Sequence, residues 1–403
     1  MDSTTAANRD DDRPQLGDDD FDRLEQMLVS GGPASLLDAL SSHLISAGRY
    51  HELFEARLMA ARHALGLPAQ DRTSLDDVPS GVREQLEESY FLACREVGAA
   101  FLREGRLREA WMYLQPLGEK QAIADKIAQT KVTPDNVELL IELALHEGLS
   151  PKLGYELVLA HYGTCSAITM FDSVAQGRSL AERDELARTL VRHLHRELLQ
   201  NLAADVARRD PSATPDEVAA TTSISALLGN RDWLFADLNY HVDASHLAAT
   251  VRISRLTTDP TTLRLACELC EYGRRLAPPY QFASEPPFGD LYVDSLRYFR
   301  ALLGEEVDSA VEFFAQQTRT AAEGTTRTAP AEVYVALLAS LGRAEEALTV
   351  ALEMLPSGMP STGLAPRIWE LAAAAGGFAR VRAACRARGD LLGYAAAMLA
   401  DSV

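Results

Sequence analysis

Small and large apolar residues alternate with polar ones at helical spacing along most of the chain, and the pattern is clearest in residues 90–117. Gly98 and Ala110 stand where the two helices of a hairpin would cross closely, and Gly105 stands in the turn between them. Large apolar residues on both sides would fill the wedge between the helices. The pattern therefore predicts a helical hairpin, whose apolar face needs a neighbouring hairpin to cover it.

The same spacing occurs twice more in the sequence. Residues 333–356 place Gly342 in the turn and Ala347 five positions later, and residues 36–65 repeat the pattern more loosely around Gly48. The three segments resemble tetratricopeptide repeats (TPR), and together they cover about a quarter of the chain. The resemblance implies an α-solenoid of stacked hairpins, whose first helices line a groove that binds a protein or peptide.

The centre of the chain is predicted to be helical but irregular. Ser179 and Glu182 form a capping box that begins a helix expected to run to Arg209. A second long helix is expected from near Asp232 to about Leu256. Both exceed the usual length of a tetratricopeptide helix, which favours an all-α fold of TPR-like hairpins around an irregular helical centre.

These patterns divide the chain into four expected regions. Acidic residues and few apolar ones in residues 1–20 predict a disordered tail. TPR-like hairpins are expected in 21–130 and 326–403, on either side of the irregular centre at 131–325. The loop 277–290 carries four prolines and three aromatic residues, so it is expected to pack across the helices as a cover or contact surface.

Composition limits the kinds of partner and the cellular location that are expected. The 403 residues include 39 Lys and Arg against 58 Asp and Glu, a formal net charge of −19. This charge disfavours nucleic acid and anionic membranes and favours a partner with basic residues. Neither a basic, apolar leader nor an apolar run of about 18 residues is present, so a cytoplasmic location is expected. Five scattered cysteines favour reduced thiols over a disulfide framework.

Candidate chemistry is confined to the centre. His241, Asp243 and His246 lie close together in the sequence, within the predicted second long helix. Helical spacing puts Asp243 and His246 on one face, whereas His241 and His246 diverge. With His161 and Cys165 from an earlier helix, they could complete a tetrahedral site, for which zinc is the metal that thiolate and imidazole ligands favour.

A nucleophilic site is the second form of this alternative. Cys165 would attack, His241 or His246 would act as base, and Asp243 would orient the base. The competing interpretation is structural, with Cys165 as a small packing residue of a hairpin and the histidines in a buried polar network. In the zinc form of the site, Tyr240 or Arg252 could orient a substrate.

Taken together, the patterns favour a non-catalytic scaffold that binds a protein or peptide on a curved helical-repeat surface. The alternative is a helical-repeat metalloprotein or hydrolase with its site in the centre. No residue pattern indicates a cofactor other than zinc, a particular partner residue or an oligomeric state.

Overall fold

The computed structural model describes residues 17–69, 78–282, 284–324, 328–355 and 363–401. Helices account for 77% of them, and no strand occurs among them, which confirms the all-α class. The chain divides into two compact units, Met1–Gly154 and Tyr155–Val403. This boundary falls inside the region expected to be the irregular centre.

The first unit is a series of helices in which sequence neighbours pack on each other. The charged segment at its start differs from the expected tail, because Asp18 to Asp20 form the first turn of a helix and Asp20 accepts a hydrogen bond from the Gly17 N–H. The rest of the expected tail, residues 1–16, lies outside the described residues. The helices are α1 (Asp18–Ser46), α2 (Tyr50–Ala64), α3 (Ser80–Arg103), α4 (Leu107–Leu114), α5 (Gln121–Gln129) and α6 (Val137–Ile141).

The second unit contains the remaining helices. The first of them, α7, begins just before the unit boundary and is broken at Gly163, where φ is 79°. The helices are α7 (Pro151–Ala175), α8 (Leu180–Arg209), α9 (Pro215–Ala220), α10 (Ile224–Leu228), α11 (Ala244–Ile253), α12 (Pro260–Gly273), α13 (Leu291–Leu302), α14 (Val307–Gly324), α15 (Ala329–Ser340), α16 (Ala344–Met354), α17 (Ile368–Ala375), α18 (Phe378–Arg388) and α19 (Leu391–Ala400).

The three segments with the hairpin pattern share one turn geometry. α1 and α2, α3 and α4, and α15 and α16 are each joined by a short turn, in which Gly48, Gly105 and Gly342 take positive φ values of 66°, 76° and 75°. The next N–H donates to the carbonyl five residues back, which is the Schellman arrangement that satisfies a helix C-terminus. These bonds are Arg49 to Leu44 (2.9 Å), Arg106 to Phe101 (3.0 Å) and Arg343 to Leu338 (2.9 Å).

Each turn arginine also pairs with a glutamate three residues later, in the first turn of the following helix. Arg106 lies 2.7 Å from Glu109, while Arg343 lies 4.0 Å from Glu346. The pair Arg49 and Glu52 has the same spacing. A glutamate at a helix N-terminus is also favoured by the helix dipole, so the pattern Gly-Arg-x-x-Glu starts the second helix in all three hairpins.

The predicted close crossing is present between α3 and α4. A methyl group on Gly98 would lie 2.6 Å from Leu114 Cγ and 3.4 Å from the Ala110 carbonyl oxygen. Ala110 and Phe101 are completely buried. These contacts confirm the expected positions of both small residues and of the wedge between the helices.

Among the described residues of the second unit, one of two hydrophobic cores forms around α8. This helix begins after its N-cap Ser179, whose hydroxyl accepts the Glu182 N–H, as the capping box predicted. It ends at Arg209, the predicted end. Leucines at four-residue spacing make one fully buried stripe that packs on α10, α11 and α12. The stripe is Leu190, Leu194, Leu198 and Leu202.

The predicted helix from Asp232 to Leu256 is wrong. A 3₁₀ segment, Asp232–Leu238, ends with positive φ at Asp237 (54°) and Leu238 (61°), and an irregular strip follows before α11 begins. The break occurs because the Asp243 carboxylate accepts the N–H groups of the first turn of α11, which makes it a helix cap instead of a helical residue.

The loop 277–290 packs partly as expected. Phe288 is buried against Tyr298 and Phe314, with ring centroids 5.9 and 5.6 Å apart. Phe282 is instead exposed. Along the described part of the chain, no helix combines the length and the apolar character that crossing a membrane requires.

Candidate functional site

An apolar groove lies between α2 and α3 in the first unit, and we call it the α2–α3 groove. Its volume is about 450 Å³. Leu86 forms its buried floor, while Tyr90 and Phe91 remain 37% and 42% exposed. An exposed apolar surface of this kind commonly marks a binding site. The lining residues are Leu58, Arg62, Leu86, Glu87, Tyr90 and Phe91.

The aromatic side chains that line the groove pack against one another and against further aromatic rings. The Phe54 ring stands edge-on to Tyr90 at 5.6 Å and contacts Tyr113 at 5.1 Å. Tyr90 also stands edge-on to Phe91 at 5.7 Å. Burial raises the pKa of Tyr90 and brings that of Tyr113 to about 12, so both phenols stay neutral. The groove therefore presents a braced, uncharged aromatic surface.

The rim of the groove on α3 is acidic. Glu84, Glu87 and Glu88 are exposed, and their spacing places them on the same helical face as Phe91. The opposite wall carries Arg62, whose Nε donates to the Pro68 carbonyl at 2.7 Å. Glu87 and Arg62 line the groove itself, and Glu84 and Glu88 add two carboxylates beside it on α3. The charge around the groove therefore favours a ligand with basic groups.

Sequence reasoning did not identify this groove, although the run Tyr90, Phe91, Leu92 was a usable signal. Three consecutive apolar residues on a helix point in directions about 100° apart, so they cannot all face one core. Leu92 is in fact 57% exposed. The run therefore indicated surplus apolar surface before its neighbours were known.

His241, the first predicted central residue, is the hub of a buried network in the second unit. Its Nε2 lies 3.2 Å from Asp205, and its Nδ1 lies 3.1 Å from the Tyr272 hydroxyl. Its backbone N–H donates to the same hydroxyl at 2.8 Å, and its carbonyl accepts from Asn201 at 2.7 Å. With every polar atom of His241 engaged, this geometry matches the structural interpretation of the histidine.

The electrostatics of the network favour a neutral imidazole facing a carboxylate. Burial lowers the pKa of His241, and the adjacent Asp205 offsets only part of this effect. Burial by itself raises the pKa of Asp205, but hydrogen bonds from His241 and Arg208 lower it by more. Arg209, which also pairs with Asp205 at 2.9 Å, stacks on Trp233. The network ties the strip before α11 to α8 and α12.

Asp243 and His246 serve the start of α11. One Asp243 oxygen accepts the N–H of Ser245 at 2.8 Å and that of His246 at 3.2 Å, besides the Ser245 hydroxyl. These bonds lower the pKa of Asp243, with the Ser245 hydroxyl as the largest cause. Asp243 and His246 are therefore related by a helix cap, in which the Asp243 carboxylate accepts the His246 backbone N–H.

His161 and Cys165 are both exposed, on either side of the break in α7. Between them, the Thr164 hydroxyl lies 3.2 Å from His193 Nε2 and 3.3 Å from Glu197 on α8. Cys165 is thus not the buried packing residue of the structural interpretation. Its carbonyl accepts a hydrogen bond from the Thr169 hydroxyl at 2.9 Å.

The five predicted metal ligands do not come together as a set. Throughout the part of the chain that the structure describes, no three His, Cys, Asp or Glu side chains are grouped so that they could hold a metal ion. The zinc hypothesis stays a prediction, and elemental analysis of the purified protein beside a His246→Ala variant tests it.

A second buried cluster was missed because its members are far apart in the sequence. Glu268 on α12 accepts from the Ile224 N–H at 3.0 Å and from the Ser223 hydroxyl, and its Oε2 lies 2.7 Å from His195 Nε2. This carboxylate therefore joins α8, α10 and α12. Glu268 also lies on the wall of a separate cleft.

Comparisons with protein families, with curated proteins and with solved structures find no match to this chain. The class of the molecule is accordingly defined by its own fold, an all-α protein with recurring helical hairpins.

Proposed function

We propose that this chain is a non-catalytic, tetratricopeptide-like scaffold that binds a protein partner in the α2–α3 groove. The partner is an amphipathic helix with an apolar face and basic flanks. The observation that carries the proposal is an apolar groove with exposed aromatic residues and an acidic rim, set between two consecutive hairpins. A cytoplasmic location is part of the proposal.

The repeated turn supports the scaffold part of the proposal. Gly48, Gly105 and Gly342 have the same left-handed conformation and the same following ion pair, as copies of one structural motif would have. Stacked units of this kind build extended surfaces without enclosing a catalytic pocket. The α-solenoid arrangement is proposed on this basis.

The chemistry of the groove supports the choice of partner. Tyr90 and Phe91 provide flat apolar contacts that lose little conformational entropy on binding. An amphipathic helix would place apolar side chains at i, i+3, i+4 and i+7 against them. Lysine or arginine on its flanks would meet Glu84, Glu87 and Glu88, which adds orientation and speeds association. Nucleic acid is a poor partner for the same rim.

The test uses a synthetic helix of about 14 residues, four turns long, with leucines on one face and lysines on the other. Binding is measured by fluorescence anisotropy against wild type and a Phe91→Asp variant. We expect saturable binding to wild type and at least about a tenfold loss with Phe91→Asp, because the charge would lie in an apolar contact. A helix with glutamates instead of lysines should bind more weakly.

The matched control is Met112→Asp, which places the same charge at an exposed apolar residue of α4 outside the groove lining. It should bind like wild type. Equal binding by Phe91→Asp and Met112→Asp would show that the helix binds elsewhere and would refute the α2–α3 groove as its binding site. No preference for the lysine peptide would refute the role of the acidic rim.

A further inference from the structure

The second unit contains a polar cleft between α10, α12 and the end of α13, and we call it the α12 cleft. Its volume is about 570 Å³, within the range of roughly 300–1,000 Å³ typical of small-molecule sites. One face of α12 forms its long wall, since the lining positions 264, 267, 268 and 271 follow helical spacing. Ser225 and Leu228 line it from α10, and Leu303 lines it from just after α13.

Arg264 is exposed on this wall, and its guanidinium has no ion pair or hydrogen bond among the described residues. Glu268, one turn later, would be its natural partner on the helix surface. Both Glu268 oxygens are instead used by His195, Ser223 and the Ile224 N–H. The buried cluster therefore leaves Arg264 unneutralised at the cleft.

The other two arginines of the cleft are engaged. Arg275 donates to Asp232, and Arg300 donates to Glu271 at 3.1 Å. Glu305, a further carboxylate that lines the cleft, lies 4.0 Å from Arg300 Nε. These pairs cancel charge locally, so the site for an anion is at Arg264. An arginine without a carboxylate partner can still present its planar fork to two oxygens of a ligand.

Uncharged groups flank Arg264 in the cleft. Cys267 is one turn from it on α12, and burial raises the pKa of this thiol to about 12, so it stays protonated. Leu228 and Leu303 add apolar surface, while the exposed Ser225 adds a hydroxyl. Besides its paired charges, the lining thus combines one anion-binding group with contacts for a compact organic body.

We propose that the α12 cleft binds a small organic anion, with its carboxylate or phosphate group on Arg264 and its body against Leu228, Leu303 and Cys267. This site lies in the second unit and is independent of the α2–α3 groove. It would give the scaffold a small ligand as well as a protein partner.

The experiment is isothermal titration calorimetry of the full chain at constant ionic strength. The probes are phenyl phosphate, benzoate and inorganic phosphate. We expect one-to-one binding of at least one organic probe, tighter than that of inorganic phosphate because the ring contacts the apolar wall. Phenyl phosphate and benzoate distinguish which anionic group the cleft takes. Failure of all three probes to bind would overturn the proposal.

Two variants test the place of binding. Arg264→Gln should weaken binding about tenfold or more, since a charge-assisted hydrogen bond of about 1.5–3 kcal/mol is lost. Ser225→Phe should weaken it similarly by filling the cleft without changing its charge. The matched control, Arg196→Gln, removes an exposed arginine on α8 outside the cleft lining and should bind like wild type.

Each contrary outcome is decisive. Wild-type affinity in Arg264→Gln would show that the anion does not bind at Arg264. Wild-type affinity in Ser225→Phe would place the anion outside the cleft. An equal loss in Arg196→Gln would reveal non-specific attraction by surface charge. Far-UV circular dichroism of each variant, matched to wild type, shows that a lost affinity is not a lost fold.

Discussion

Gly98 and Leu114 meet where α3 crosses α4, so closely that a methyl group on Gly98 would lie 2.6 Å from Leu114 Cγ. The crossing brings the backbone of one helix against the side chains of the other. Ala110 lies at the same crossing and is completely buried. The packing of α3 against α4 therefore depends on small residues at positions 98 and 110.

The first prediction is that Ala110→Leu destabilises the protein by about 1–3 kcal/mol, because the added atoms overpack the crossing. Urea unfolding followed by circular dichroism measures the change. Ala99→Leu, at an exposed position of α3, is the control and should stay within about 0.5 kcal/mol of wild type. Equal midpoints for both variants would mean that the crossing is looser than described.

The second prediction concerns the turn between α3 and α4. Gly105 has a φ of 76° with open space around its Cα, so only the backbone conformation opposes a side chain. Gly105→Ala should destabilise by about 1–2 kcal/mol, the strain of a left-handed residue with a Cβ. Gly81→Ala, in the first turn of α3 and also in open space, should be neutral or stabilising. The difference between the two unfolding free energies tests the turn.

The third prediction follows from the lowered pKa of His241. An unfolded histidine titrates at about pH 6.5. Below that pH the unfolded state therefore binds a proton that the folded state does not bind. Stability from this group is therefore complete above about pH 6.5 and falls as the pH drops toward the folded pKa. The lowered pKa of Asp205 causes a further loss of stability at lower pH.

Unfolding free energies measured between about pH 7 and pH 5 test this dependence. His241→Asn should reduce the slope of stability against pH in this window, although it also lowers stability at neutral pH by breaking the network. His63→Asn, an exposed histidine of α2, is the control and should keep the wild-type slope. An unchanged slope in His241→Asn would show that the imidazole is not held neutral.

The fourth prediction concerns thiol reactivity. Cys165 is the exposed cysteine, whereas burial raises the pKa of Cys94, Cys267 and Cys270. A thiol reagent at neutral pH should modify Cys165 first, and Cys165→Ser should remove this fast phase. A rate for Cys165 well above that of a free thiol would favour the nucleophile hypothesis, and an ordinary rate would favour exposure alone. A fast phase that persists in the variant would contradict the assignment.

Local sequence signals were sufficient where their partners are close in the chain. The capping box of Ser179 and Glu182 set the start of α8, since both bonds lie within one turn. Gly105 determined a turn because glycine adopts positive φ without strain. The close crossing at Gly98 and Ala110 also followed from residue size.

The same local reasoning failed at Asp243. A carboxylate two and three residues before Ser245 and His246 can lie within a helix or cap one, and helical periodicity does not distinguish these cases. The buried bonds of His241 to Asp205 and Tyr272 hold the preceding strip outside the helix. Those partners are 36 and 31 residues away, so the sequence pattern contained no sign of them.

The sequence by itself determined the helical class, the hairpin turns and the acidic character, because each depends on spacing or composition. Tertiary structure alone decided which side chains meet: the exposed aromatic groove between α2 and α3, the use of Glu268 by the buried cluster, and the unpaired Arg264 that results. The physical reason is that burial and pairing depend on which distant residues pack together, and no single helix specifies its neighbours.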